Sequence, residues 1–345
     1  MYKTWLKTFL SVFVGGLAVL VLVNAVADPM LVLPFMHRFN NRVRFINERQ
    51  QKTNLLYFSH YYGTKDYDGV ILGSSRSSGL NPTLFQPYTV FNYAAAASRP
   101  QEAASYATFA QDLHGKPLQV IILGLDFMSA AGTPSQSRTK GEPVIYTQDV
   151  KKPFYTLANL MNLKAFHLAT RNLRANLHPT KENYFERHAD AVVEYFRPGP
   201  ADQQAAFNET LGIYQNIYAQ FHYNPDYKTI LQEVKNAFPH TRFIVFTTPV
   251  AKPHLELLYA AGLADSYKQW LTDIVDVFGE VHHFMDENEV TRNYTAYFAD
   301  SHHLYPGAAD LIAQRIQGRL DGVPADFGKT LTQQTLPAYL ANLPK

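Results

Sequence analysis

The stretch Val70-Ile71-Leu72-Gly73-Ser74-Ser75-Arg76-Ser77-Ser78-Gly79 decides how this chain is read. Three consecutive apolar residues predict a short strand buried on both faces, as strands of parallel sheets are. Gly73 ends it, and the serine-rich turn that follows opens a helix whose first backbone N–H groups can stabilise a developing negative charge. A serine on such a turn is a candidate nucleophile. The same residues would also make an ordinary helix-capping loop or a phosphate-binding turn. Neither G-x-x-x-x-G-K-[ST] nor G-x-G-x-x-G occurs here, which disfavours nucleotide binding.

Working outward, strand and helix patterns alternate. Thr89 to Tyr93 predicts a second strand, and Ser98 with Gln101 three residues on has the spacing of a capping box. Tyr106, Phe109 and Leu113 form one apolar helical face, with Gly115 as its stop. Leu118 to Leu123 is a third strand, Phe243 to Phe246 a fourth and Val281 to Met285 a fifth. Helices are expected at 225–238 and 265–278, and from Tyr305 to Leu320 with Ile312, Ile316 and Leu320 on one face. The alternation predicts a three-layer α/β/α sandwich around a parallel sheet of flavodoxin-type order, with its site at the carboxyl ends of the strands. Residues 127–220 break the rhythm and read as an insertion or lid within a domain spanning 67–322. Residues 28–66 read as a stalk or a helix packed on the domain, and 323–345 as a loosely packed tail.

Composition bounds the chemistry. The chain of 345 residues is 46% hydrophobic, enough for a sizeable core. Lys and Arg number 31 against 29 Asp and Glu, so there is no clustered basic excess of the kind a nucleic-acid binder needs. Cysteine is absent, which excludes disulfides, thiolate zinc sites, iron–sulfur clusters and a cysteine nucleophile. Thr8 to Ala27 (TFLSVFVGGLAVLVLVNAVA) is uncharged and, as a helix, about 30 Å long, enough to cross a bilayer. Its length favours a retained membrane anchor, while Ala25-Val26-Ala27 also resembles a signal-peptide cleavage site. On either reading the rest of the chain lies outside the cytoplasmic membrane.

A second constellation is Asp300-Ser301-His302-His303-Leu304-Tyr305-Pro306-Gly307, ahead of the last predicted helix. A carboxylate three residues from an imidazole can orient it, and the imidazole can take a serine proton. Alternatively the two simply cap the helix. Together, Gly73-Ser74-Ser75 and the D-x-x-H of Asp300 and His303 resemble the SGNH/GDSL hydrolase superfamily over residues 67–320, with 127–220 unaccounted for. The resemblance implies Ser75 as nucleophile, His303 as base and Asp300 as its orienting carboxylate; a one-residue shift in the turn would exchange Ser75 for Ser74. The GSSR turn, the apolar N-terminus and Gly124-Leu125-Asp126-Phe127 are similar to the membrane-anchored branch that includes D-alanyl lipoteichoic-acid transfer and alginate-type O-acetylation proteins. That similarity implies a bacterial protein with its globular part in the periplasm. It also implies an acyl group passed to a carbohydrate polymer of the cell envelope or to water, beside a membrane-bound O-acyltransferase.

Two positions depart from the family pattern. Where a second-block glycine would donate to the oxyanion stand Asn92 and the alanines 94–97, making Asn92 and the Ala95 N–H the candidate donors. The third-block asparagine position holds Asp126, whose ionised carboxylate would repel an oxyanion unless protonated or paired with Arg76 or Arg99. A catalytically degenerate module that binds polysaccharide or an assembly partner is therefore the alternative to an enzyme. Arg76 reads equally as a ligand for an anionic substrate group or as the partner of Asp126. Glu102 reads as compensation for a helix dipole, and Thr247-Thr248 as cleft lining. His282-His283 with Asp286, plus His302-His303, invites a metal reading, but adjacent residues on a strand point to opposite faces. No metal or cofactor is expected.

Overall fold

A computed structural model describes residues 2–36, 42–43, 47–132, 142–178, 184–188, 191–195 and 200–344. In chain order the elements are α1 (Tyr2–Ala27), β1 (Arg42–Val43), α2 (Glu48–Tyr61), β2 (Gly69–Leu72), α3 (Ser75–Ser78), β3 (Val90–Asn92), α4 (Pro100–His114) and β4 (Val120–Leu125). Next come α5 (Glu142–Asp149), α6 (Tyr155–Leu160), α7 (Leu163–Leu177), β5 (Tyr184–His188), β6 (Ala191–Tyr195), α8 (Pro200–Ala219), α9 (Tyr227–Asn236) and β7 (Arg242–Thr247). The chain closes with α10 (Lys252–Ala260), α11 (Ala264–Phe278), β8 (Glu280–His283), α12 (Glu289–Arg292), α13 (Tyr294–Tyr297), α14 (Pro306–Ile316), β9 (Lys329–Thr332) and α15 (Leu336–Ala341).

The central sheet has the order β3-β2-β4-β7-β8-β9; its first five strands are parallel and β9 runs antiparallel at the edge. The chain enters at β2, steps to β3 on one side and then crosses to β4 on the other, so the topological switch point lies at the end of β2. Alternate strand residues feed two cores. Val70, Leu72, Ile121, Leu123 and Val245 pack under α2, α4, α9 and α11. Ile71, Val120, Ile122, Ile244 and Phe246 pack under α14 and the loops around Phe284 and Phe298. Both faces are covered, which is why β2 and β4 are apolar without alternation.

The central rhythm follows the sequence with shifted ends, and several expectations change. The helix at Pro100–His114 starts after Arg99, not Ser98: the Arg99 N–H donates to Glu102 Oε1, and Gly115 closes the helix at φ +72°. The expected lid contains α5 to α8 and a small antiparallel sheet β1-β5-β6, joined to residues 42–43 from outside the segment. Helix α10 was not anticipated. Helix α14 ends at Ile316, and Leu320 is exposed. The expected tail instead supplies β9 and α15, with Phe327, Leu331 and Leu336 buried. Helix α2 is no stalk: Arg49, Gln51, Lys52, Thr53, Asn54, Leu55, Leu56 and Phe58 are all buried.

Among the described residues, one helix, α1, is long and apolar enough to cross a membrane. Its C-terminal end is built into the domain. Asn24 Nδ2 donates to the carbonyls of Leu160 (2.8 Å) and Asn162 (3.1 Å), Ala27 is buried, and the Asp28 carboxylate accepts the N–H groups of Val32 and Leu33. Cleavage after Ala27 would remove the Asn24 contacts.

Candidate active site

Gly73 follows β2 at φ +146°, a conformation that L side chains rarely adopt, and a Cβ there would meet Ser77 Oγ at 2.5 Å and the Gly124 carbonyl at 2.9 Å. The turn therefore folds tightly over the end of β4 and starts α3 at once. The geometry separates the two serines. Ser74 is the N-cap, its buried Oγ accepting the Arg76 N–H. Ser75 turns its Oγ outward to His303 Nε2, at 2.8 Å.

His303 reaches this position from the loop between α13 and α14. A bridge between Phe298 and Leu304, with the Ala299 N–H on the His303 carbonyl, closes that loop into a small hairpin. Asp300 sits in its bend, buried, with Oδ1 accepting the N–H groups of His302 and His303 (2.8 Å each) and Oδ2 facing His303 Nδ1 at 2.7 Å. Burial alone would raise the Asp300 pKa. The hydrogen bond and charge of His303, with the two backbone N–H bonds, outweigh it and hold the carboxyl below its ordinary range. An ionised carboxylate only accepts, so Nδ1 carries the proton and Nε2 is left to accept the Ser75 hydroxyl. Ser75 and His303, 228 residues apart in sequence, thus form one hydrogen-bonded line with Asp300.

The expected oxyanion donors are placed differently. Asn92 spends its amide on the carbonyls of Ser77, Ser78 and Leu80, and its Oδ1 accepts the Ala94 N–H; it ties α3 to β3 and offers nothing to a ligand. The Ala95 N–H donates to the Gly73 carbonyl (3.0 Å), so Ala95 is a structural clamp on the same turn. The Ala96 N–H donates to Glu48 Oε2 at 2.8 Å. Among the described residues, the backbone N–H groups of Ser75 and Ala97 have no acceptor, and Ala97 is held at φ +53°.

Glu48 and Lys52, at one end of α2, were not singled out in the sequence, where they look like a surface i,i+4 pair. In the fold Lys52 is fully buried, with Nζ 3.0 Å from Glu48 Oε1 and donating to the Ala94 carbonyl, while Glu48 also accepts the Ser78 hydroxyl (3.2 Å). The pair braces both the 94–97 loop and the end of α3.

Arg76 does not face the cleft. It is buried, with Nη2 donating to the Tyr214 hydroxyl (2.9 Å) and Nη1 4.0 Å from Asp126 Oδ1. Burial disfavours its charge, but Tyr214 and Asp126 more than offset this, and its pKa lies above the usual arginine value. Of the two readings of Arg76, the structure provides the contact with Asp126. Asp126 also accepts the Thr248 hydroxyl at 2.6 Å, so its charge is answered within the protein. Arg99 reaches the Ala131 carbonyl instead. Around Arg76 runs a buried chain from the Tyr218 hydroxyl to His254, Ser301 and His302. Burial, reinforced by Arg76, pushes both His254 and His302 well below the ordinary histidine pKa, so both are neutral. Tyr214 and Tyr218 come from α8, so the insertion lends its last helix to the floor of the site.

The other expectations resolve locally. His283 is buried against Thr247, Tyr267 and Tyr339, whereas His282 faces Thr330, so the pair diverges. Donor atoms of Asp300, His302 and His303 lie within 4.8 Å of one another, yet both His303 ring nitrogens are already hydrogen-bonded. Glu102, read as a dipole partner, is buried in a pair with Arg49 of α2 (3.1 Å). No protein-family model matches this chain, and no curated protein matches it.

Proposed function

We propose that the chain is a membrane-anchored serine acyl-esterase or O-acyltransferase of SGNH type, working outside the cytoplasmic membrane on a cell-envelope or exopolysaccharide substrate. The observation that carries this reading is the Ser75–His303–Asp300 line at 2.8 and 2.7 Å, at the switch point of a parallel sheet. His303 Nε2 takes the Ser75 proton as Oγ attacks an acyl carbonyl. The oxyanion is held by the Ser75 N–H, with the Ala97 N–H as the nearby second donor. Collapse expels the donor's alcohol, which leaves with the proton from His303. A sugar hydroxyl or water then gives its proton to His303 and attacks the acyl-serine, and His303 returns that proton to Ser75 Oγ as the acyl–oxygen bond breaks. A groove of about 540 Å³ beside the His303 loop, lined by Tyr297, Tyr305 and Leu311, has the flat rings that sugars stack on. The apolar helix α1 supports the anchor, and a membrane-bound O-acyltransferase is the partner that such a role calls for.

The occupied N–H groups of Ala94, Ala95 and Ala96, together with Asp126 in place of a donor, favour the second reading: a module that binds polysaccharide or an assembly partner without turnover. Intact mass after a fluorophosphonate separates them. The enzyme reading expects one adduct on the wild type, lost in Ser75→Ala and kept in Ser74→Ala. An unlabelled wild type with detectable polysaccharide binding would support the module instead.

A further inference from the structure

We infer that the segment from Val150 to His178 is a docking face for an anionic bilayer, seating the domain on lipid around the point where α1 emerges; this rests on reading α1 as a membrane span. Residues 2–16 of α1 are exposed on every side, whereas from Leu17 onward one helical face is covered. The cover is α6 and α7, packed against α1, with Asn24 hydrogen-bonded to the carbonyls of Leu160 and Asn162 at the junction between them. Because α6 and α7 flank the C-terminal half of that span, they are the elements of the domain that come closest to lipid.

Their composition fits that place. No Asp or Glu occurs between Val150 and His178, while Lys151, Lys152, Lys164, Arg171 and Arg174 are all exposed. Lys152 is paired with Asp149 and Lys151 lies over the Phe109 ring, so the uncompensated charge belongs to α7. There Lys164, Arg171 and Arg174 share one side of the helix, flanking the face that buries Ala165, Leu168, Ala169 and Asn172. Beside them the chain exposes Phe154 (80%), Leu163 (74%), Leu157, Met161 and Leu177. Phe154 is held at φ +59°, a backbone region unusual for a bulky residue, with its ring directed outward. Apolar side chains flanked by unpaired cations are the pattern of interfacial lipid binding, whereas protein–protein interface cores are depleted of lysine. Each Lys or Arg near an anionic leaflet strengthens attachment about fivefold. A second attachment beside α1 stops the domain from swivelling about a single helix, and so fixes the orientation of its cleft to the membrane.

The chain has no cysteine, so single cysteines can be introduced into the 345-residue protein and labelled with an environment-sensitive fluorophore. The sites are Phe154→Cys and Leu163→Cys on the face, Phe13→Cys within α1, and Leu320→Cys on an exposed position elsewhere. The protein is placed in phosphatidylcholine nanodiscs with and without phosphatidylglycerol, and quenching by nitroxide-labelled lipid is read. Quenching at 13, 154 and 163 but not at 320 is expected. At 154 and 163 it should fall severalfold without phosphatidylglycerol, or when Lys164, Arg171 and Arg174 are changed to Gln. Quenching at 13 with 154 and 163 behaving like 320 overturns the docking face and leaves the anchor standing. No quenching at 13 overturns the anchor and the docking face with it. A blue shift at 154 and 163 that grows with protein concentration, without quenching, assigns the face to a second copy of the chain and also overturns the proposal.

Discussion

Gly73 and Gly124 flank the buried Ser77 hydroxyl from the ends of neighbouring strands, and a Cβ on Gly124 would stand 2.1 Å from Ser77 Oγ and 2.7 Å from the Phe246 ring. Gly124→Ala must therefore push α3 off the sheet, at a cost of about 1–3 kcal/mol read as a lower denaturation midpoint. Fluorophosphonate labelling of Ser75 should slow with it, because the same shift lengthens the bond to His303. At Asp300 the expected loss is chemical. Asp300→Asn keeps the shape but can turn the His303 ring, so labelling should slow by about 10⁴-fold, the size seen when other triads lose this carboxylate. Labelling within tenfold of wild type would mean that Asp300 only closes its loop. The D-x-x-H spacing was legible in the sequence because the two residues share one hairpin. The roles of Asn92 and Ala95 were not, because hydrogen bonds to the backbone carbonyls of Gly73 and of the Ser77–Leu80 segment leave no mark in residue types.

Among the elements, α2 holds the site from behind. Its buried Lys52 and half-buried Glu48 pack against the 94–97 loop and Ser78, and removing one member of so enclosed a pair leaves the other's charge unanswered. Lys52→Met should cost about 3–5 kcal/mol, with the double variant Lys52→Met, Glu48→Gln regaining part of it. Hydrogen exchange resolves the positioning role: amides 94–96 should lose protection in Glu48→Gln while those of β4 keep theirs. Equal loss everywhere would reduce the pair to general stability. Strand and helix alternation made the parallel sheet legible, since strands buried on both faces must be continuously apolar. Element ends were less so. Ser98 has the better capping side chain, yet the Glu102 carboxylate on the Arg99 N–H moved the helix start by one residue.

Over the whole molecule, buried histidines set the acid limit. His254 and His302 are held well below the ordinary histidine value and His283 near 4, each chiefly by burial, so the unfolded chain takes up protons that the folded one refuses. Stability is then full above about pH 6.5 and falls as pH drops from there toward 4, by about 1.4 kcal/mol per pH unit for each net proton. Asp310, pushed up to about 6 by burial, acts in the opposite sense as a single group and only softens the slope. Denaturant midpoints from pH 7 to 5 test this; a flat profile would mean that water reaches these rings. The sequence by itself determined the apolar α1, the parallel sheet, the serine turn after β2 and the Asp300–His303 pair, because each rests on local spacing and on which residues water rejects. Only the tertiary structure decided which serine faces His303 and which amides are spent. Likewise, only the fold buried Arg76 beside Asp126 and brought α2 and α8 into the site. Those outcomes depend on contacts across 26 to 228 residues of chain, where burial turns residues that would be ordinary surface charges into partners.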